Sequence, residues 1–190
     1  LTQQNDLLTG SSRMRMALGR ILSNDEISYI DSAFLYSLRT TLSSMVEGNP
    51  TLERIVLWLD DAPRALTSDG SGIEFLSIMT DFSWRDAYQA MPGEQRISVQ
   101  KVTDASGRTW ILMIRRMLQD QGCAVLYINP ERWSRSLQTL LHRGSERLMV
   151  LNAEGETLIS ATNDSRELVF REEEIAAALA SSEGKWQPAA

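Results

Sequence analysis

Few residues in this chain could do chemistry, and their types limit what it can do. Among 190 residues there is one histidine, His142, and one cysteine, Cys123. A single imidazole leaves little room for histidine catalysis or a zinc site, and a single thiol cannot close an intrachain disulfide. His142 stands just before Gly144, near an expected helix end, where an imidazole meets the last carbonyls and the negative end of the dipole. Ligation of haem or a metal is the sharper alternative. Cys123 opens an apolar run and reads as a small buried hydrophobe rather than a nucleophile. Asp60 and Asp61 could act as paired acid and base or hold a cation. They also precede Pro63, where acidic residues commonly close a turn. The chain has no G-x-S-x-G elbow and no phosphate-cradling glycine loop. The expectation is a non-enzyme with neither cofactor nor metal.

Two groups suit binding better than catalysis. Trp84 and Tyr88 lie one helical turn apart and could wall a pocket, with Arg85 beside them to pair an anion. Ordinary packing of two amphipathic rings under a loop is the plainer reading. Arg115 and Arg116 end an apolar stretch. On a strand they point to opposite faces, one joining Trp110, Leu112 and Ile114, the other Ile111 and Met113. Either could reach a pocket and offer a fork to a carboxylate; otherwise a strand-end arginine snorkels to water.

These side chains need a scaffold, and composition permits one. Hydrophobic residues make up 43% and charged residues 23%, as in ordinary globular proteins. The formal charge of −6 comes without a basic stripe, which argues against nucleic acid as a partner. No apolar run approaches 18 residues, so no transmembrane helix is expected here. The chain starts at Leu1 rather than methionine, which suggests an excised piece of a longer protein.

Periodicity divides the chain near Pro50. The first 46 residues read as helix, with Leu7, Met14, Leu18 and Ile21 on one stripe, then Asn24 as N-cap. Ile27, Ile30, Phe34, Leu38, Leu42 and Met45 continue at helical spacing to Gly48-Asn49-Pro50. Strands are expected at 52–60, 64–68, 97–102, 109–117 and 123–128, the last three forming an antiparallel meander turned at Gly107 and Gly122. Residues 73–91 read as loop and short helices around Trp84 and Tyr88. The irregular 73–96 segment exceeds the roughly 12–15 residues usual for connections in compact domains, and such loops are generally functional or disordered. Pro130 starts a helix carrying Trp133, Leu137, Leu140 and Leu141. A hairpin follows in LMVLNAEGETLISAT, then a short helix over Glu172–Leu179.

The fold class expected is therefore α/β (α+β): a long N-terminal helix, a five-stranded antiparallel sheet, and the start of a second, similar module. The segments ILSNDEISYI, RIVLWLDDAPRALTSDG, DFSWRDAY, GRTWILMIRRMLQDQGCAVLYINPERWSRSL and RLMVLNAEGETLIS, in that order, resemble the double Cache (PAS-like) extracytoplasmic sensor regions of bacterial transmembrane receptors. These include histidine kinases, chemoreceptors and AraC-type regulators. The resemblance spans nearly the whole chain. It implies a stalk helix over 1–46, a membrane-distal module over 47–144, and a partial membrane-proximal module over 145–190. It also implies a small polar or anionic ligand held by Trp84, Tyr88, Arg85, Arg115 and Arg116, with the membrane reached through flanking segments. Amino-acid-binding members carry an arginine two residues before the tryptophan and a Tyr-x-x-x-Asp-like pair on the following strands; here the first position is Phe82, and 97–102 offers neither Tyr nor Asp. A weak homodimer through the N-terminal helix is expected from its long apolar stripe. A ligand-free scaffold is the rival reading, and a small hydrolase a more distant one.

Overall fold

The computed structural model describes residues 12–24, 26–70, 72–117, 121–141 and 147–162, with single positions at 173, 176, 177 and 180. The chain divides into two compact units, Leu1–Asn129 and Pro130–Ala190.

In the first unit, helix α1 (Ser12–Ser23) buries Ala17, Leu18, Ile21 and Leu22, adjacent pairs one turn apart. Helix α2 (Tyr29–Glu47) buries Leu38 and Leu42 and half-buries Phe34 and Met45. The two are separate helices joined by a charge clamp. Arg20 Nη2 donates to Asp31 Oδ1 at 2.8 Å, and Asp31 is only 7% exposed. That guanidinium, with the Ser28 hydroxyl, holds the Asp31 carboxyl below the usual carboxylate range. The N-cap of α2 is Ser28, not the Asn24 expected from sequence: Ser28 Oγ accepts the Asp31 amide at 3.1 Å and donates to its carboxylate at 2.7 Å. Asn24 belongs to the end of α1, its amide bonded to the Arg20 carbonyl. A reciprocal Ser-x-x-Asp pair outcompetes a lone asparagine.

The sheet has six strands, not five: β1 (Leu52–Trp58), β2 (Arg64–Thr67), β3 (Ile73–Phe75), β4 (Ile97–Thr103), β5 (Thr109–Arg116) and β6 (Cys123–Ile128). They run antiparallel in the order β3-β2-β1-β6-β5-β4. The extra strand is β3, three residues long, too short for alternation to show in sequence. It pairs with β2 through a tight turn in which Gly70 and Gly72 take positive φ. After it come a 3-10 turn, Leu76–Ile78, and helix α3 (Ser83–Ala90).

β6 is buried at every position, as a central strand covered on both faces must be. Register assigns the faces. Arg54 pairs with Tyr127 and Trp58 with Cys123, so Arg54, Val56 and Trp58 share a face with Cys123, Val125 and Tyr127. Leu112 pairs with Tyr127, which adds Trp110, Leu112, Ile114 and Arg116. Helix α3 covers this face through Trp84 and Tyr88, whose rings meet Trp58 edge-on at 5.5 and 6.1 Å. The opposite face, with Ile55 and Leu57, belongs to the α1–α2 layer.

In the second unit, helix α4 (Pro130–Gln138) packs on a hairpin of β7 (Arg147–Leu151) and β8 (Thr157–Thr162), with Ser134 Oγ donating to the Ser160 carbonyl at 3.0 Å. Leu7, His142, Gly144 and Trp186 lie outside the described residues. So does most of the expected 172–179 helix, of which 173, 176 and 177 are described and helical.

Gly122 enters β6 with φ 131°, and a Cβ there would fall on the Trp58 carbonyl oxygen and 2.8 Å from Leu59 Cα. We therefore expect Gly122→Ala to destabilise the first unit by about 2 kcal/mol or more, measured by denaturant unfolding followed by tryptophan fluorescence. An unchanged midpoint would refute the close approach.

Candidate functional site

The site grows out of a charge placed where the strand pattern calls for an apolar residue. Arg54 sits on the α3-side face of β1, and its side chain is 19% exposed. A guanidinium so nearly enclosed needs partners, and it has three kinds. Nη2 donates to Glu74 Oε2 on the edge strand at 2.8 Å. Nε lies 3.1 Å from Asp69 Oδ1, but off the line of a hydrogen bond, so that buried proton has no acceptor. The guanidinium carbon stands 6.0 Å from the centre of the Tyr127 ring.

Tyr127 carries the arrangement across the sheet. Its hydroxyl donates to Asp81 Oδ2 at 2.7 Å, and Asp81 Oδ1 accepts the Ser83 amide at 3.0 Å. Asp81 thus closes the entry to α3 and pins that helix to β6. Burial pushes the Tyr127 phenol well above the usual tyrosine value, and the Asp81 carboxylate adds to it. The phenol therefore stays a neutral donor at every physiological pH.

Between these groups lies a cavity of about 350 Å³ lined by Arg54, Glu74, Ile78, Met79, Thr80 and Asp81. It sits between the sheet and the irregular 73–96 segment, the expected place. Its lining, however, is not the expected set. Trp84 is fully buried against Trp58, its indole Nε1 enclosed without a hydrogen-bond partner. Tyr88 is also buried and donates to Asp60 Oδ2 at 3.3 Å. Arg85 stacks over Trp58 at 5.2 Å. Arg116 stacks over Tyr88 at 4.7 Å and donates to the Met91 and Gln95 carbonyls at 2.8 and 3.2 Å. Arg115 shares the other face of β5 with Ile111 and Met113. Four of the five, Trp84, Arg85, Tyr88 and Arg116, meet in one aromatic–cation cluster around Trp58. None of the five lines the cavity.

Other candidate groups hold structural places. Asp61 takes φ 64° in a turn closed by the Ala62 amide on the Leu59 carbonyl, as the turn reading of the carboxylate pair anticipates. The Asp60 carboxyl is raised, chiefly by burial. Cys123 is fully buried and its thiol is pushed far up by that burial, which makes it a poor nucleophile. Asp104 is held down to about 2, first by the Ser106 hydroxyl and then by the Trp110 indole, as the clasp of the β4–β5 turn. Among the described residues no cluster of His, Cys, Asp or Glu could hold a metal. A second hollow, about 370 Å³, lies in the second unit between α4 and β8 over Leu158 and Ile159. Its charged residues, Glu131 and Arg135, are exposed, and no buried polar group converges there.

Arg54, Asp81 and Tyr127 escaped sequence reasoning, although one signal was present. In ERIVLW an arginine shares the alternating face of Val56 and Trp58, and a charge on such a face has a partner to meet.

No protein-family model matches the chain, and no curated protein matches it. Among solved structures it is similar to the ligand-binding domain of the Campylobacter jejuni chemoreceptor Tlp3 in complex with L-norvaline. The two are 14% identical with a TM-score of 0.47; the match covers 84% of this chain and 58% of that one. The chain thus spans less than two thirds of that protein's length. No helix among the described residues is long and apolar enough to cross a membrane.

The raised Tyr127 phenol carries a pH signature. Its folded-state value lies above the ordinary 10, so the stability it contributes is complete below pH 10 and is lost as pH rises beyond. We expect the denaturant midpoint to fall above pH 10, and less steeply in Tyr127→Phe. That variant should cost about 1.5 kcal/mol at neutral pH, the low end for a hydrogen bond to a charged group. Parallel pH profiles for the two proteins would show that Tyr127 is not the buried donor.

Proposed function

We propose that the first unit is the signal-sensing module of a bacterial membrane receptor and takes a small polar ligand into the Arg54 cavity. The observation that carries this reading is a nearly enclosed guanidinium facing the carboxylates of Glu74 and Asp81 around a space of about 350 Å³, with Asp81 held from behind by the Tyr127 hydroxyl. That volume lies at the lower end for small-molecule sites. The order of helix, sheet and second hairpin, which resembles double Cache sensors in sequence, supports the receptor context. On this reading the module works on the extracytoplasmic side and its membrane anchors are other segments of the receptor.

The charges choose the ligand. Arg54 already faces Glu74 and Asp69, while Asp81 receives only neutral donors. One guanidinium among three carboxylates favours a ligand bearing a cationic nitrogen over a simple anion. The ammonium group goes to Asp81, and an acceptor on the same ligand goes to the Arg54 guanidinium in competition with Asp69. A zwitterion or a hydroxylated amine meets both requirements.

A thermal-shift screen of amines, amino acids, organic acids and sugars tests this on the wild type, Asp81→Asn and Arg54→Gln. At 100 times its dissociation constant a true ligand stabilises by about 2.7 kcal/mol, and we expect amine-bearing hits that Asp81→Asn abolishes. Hits confined to organic acids, lost only in Arg54→Gln, would replace the cationic class by an anionic one. An empty screen would favour the ligand-free scaffold. Trp84→Ala is unsuitable as a probe: removing a fully buried indole costs about 3–5 kcal/mol in its own right.

Weak dimerisation through α2 belongs to the same proposal. Tyr29, Ile30 and Tyr36 stand 88%, 75% and 73% exposed on that helix. Sedimentation should show a concentration-dependent dimer that an Ile30→Ser, Tyr36→Ser double variant weakens at least tenfold, about 1.4 kcal/mol. A wild type that stays monomeric at high concentration would remove this part of the proposal.

A further inference from the structure

We infer that the turn between β2 and β3 is a latch tying the Arg54 cavity to helix α2, an inference that rests on the cavity being the ligand site. Two sets of contacts meet in this turn from opposite sides. On the cavity side, Asp69 faces Arg54 Nε at 3.1 Å, an electrostatic pairing without hydrogen-bond alignment and therefore exchangeable. On the helix side, Arg39 Nη2 donates to the Gly70 carbonyl at 2.7 Å and Ser43 Oγ to the Ser68 carbonyl at 3.0 Å. The Arg39 stem also lies over Gly72, where a Cβ would come within 2.8 Å of it.

The turn is stiff enough to transmit between its two sides. Its stem is tied to β1 by Ser68, whose amide donates to the Ile55 carbonyl and whose hydroxyl accepts the Ile55 amide, each at 2.9 Å. Thr67 Oγ1 donates to the Asp69 carbonyl at 3.1 Å, which ties the backbone of Asp69 to the stem. Two residues of α2, one turn apart, therefore grip the same short turn whose carboxylate faces the cavity wall. An acceptor atom that binds Arg54 competes with Asp69. Releasing Asp69 frees the turn, and the turn is what α2 holds through Arg39 and Ser43. The coupling is reciprocal: anything that displaces α2 from the turn changes how tightly Arg54 is engaged.

Hydrogen–deuterium exchange on the chain with no ligand added tests the latch. The proteins compared are the wild type, Asp69→Asn, Arg54→Gln and Glu74→Gln. Asp69→Asn and Arg54→Gln are expected to speed exchange at residues 68–72 and in the last turns of α2, 39–46, by up to about fivefold, the scale of one part-exposed ion pair. Glu74→Gln breaks the Arg54 pairing that bypasses the turn and is expected to leave 39–46 at wild-type rates. Faster exchange in the turn alone overturns the latch. So does uniform acceleration through β4 and β5, which would make Arg54 a residue of general stability. An equal response of α2 to Glu74→Gln overturns it too, because the signal would then not pass through Asp69. Since no ligand enters, an empty ligand screen leaves this result standing, and a failed latch leaves ligand binding intact.

Discussion

The pairing of β1 with β6 at the centre of the sheet decides which side chains of the first unit can meet. Both strands are covered on two sides, so each residue belongs either to the α1–α2 layer or to the α3 layer, with no third place to go. The antiparallel register puts Arg54 opposite Tyr127 and Trp58 opposite Cys123. A slip of one residue would send Arg54 into the Ile55–Leu57 face, against buried leucines of the helices. The enclosed charge therefore pins the register as firmly as the hydrophobic pattern does, since only one alignment gives it Glu74 and Asp69.

The same face divides into two regions of different character. Around Trp58 the space is occupied by Trp84, Tyr88, Arg85 and Arg116, which stack edge to face or cation over ring. Around Arg54 the covering chain is the 76–81 segment, a single 3-10 turn with short side chains at Thr80 and Asp81, which cannot fill the space a helix would. The cavity thus lies where the covering layer thins, one end anchored by α3 through Asp81 and Tyr127, the other by the edge strand. Filling by large aromatics at one end lets the other end stay open without loss of the fold.

What could be read from the sequence follows from periodicity. The five longer strands and α2 carry enough repeats of two or of three and four to declare themselves, and the strand bounds and the end of α2 fall within two residues of those expected. β3 has only Ile73, Glu74 and Phe75, and half an alternation carries no period. The α2 start was misplaced because Asn24 and Ser28 are both good caps, and the choice depends on Asp31 meeting Arg20 from another helix. For the site, the segment was legible and its residues were not. Trp84 and Tyr88 drew attention as amphipathic rings, yet a ring pair one turn apart on a short helix also suits packing on a sheet, and Trp58 supplies the surface. Arg54 needed the register with Tyr127, which is long-range information that spacing along the chain does not contain.

The energetic scale of the Arg54 arrangement suits a sensor better than a rigid structural clamp. A buried ion pair whose partners are all fixed resists exchange, because removing one partner strands the other charge at a cost of several kcal/mol. Here one partner, Asp69, is 53% exposed and misaligned, so water can take it over when it leaves Arg54. The exchange of Asp69 for a ligand atom then costs little, and the net change is of the order of the 1–3 kcal/mol typical of coupling between sites. Glu74, 29% exposed and well aligned, stays in place and keeps the guanidinium compensated throughout. A ligand can move an equilibrium only by its difference in affinity for the two states. An arginine with one firm and one loose carboxylate supplies such a difference: the firm contact holds the site together, and the loose one is what binding changes.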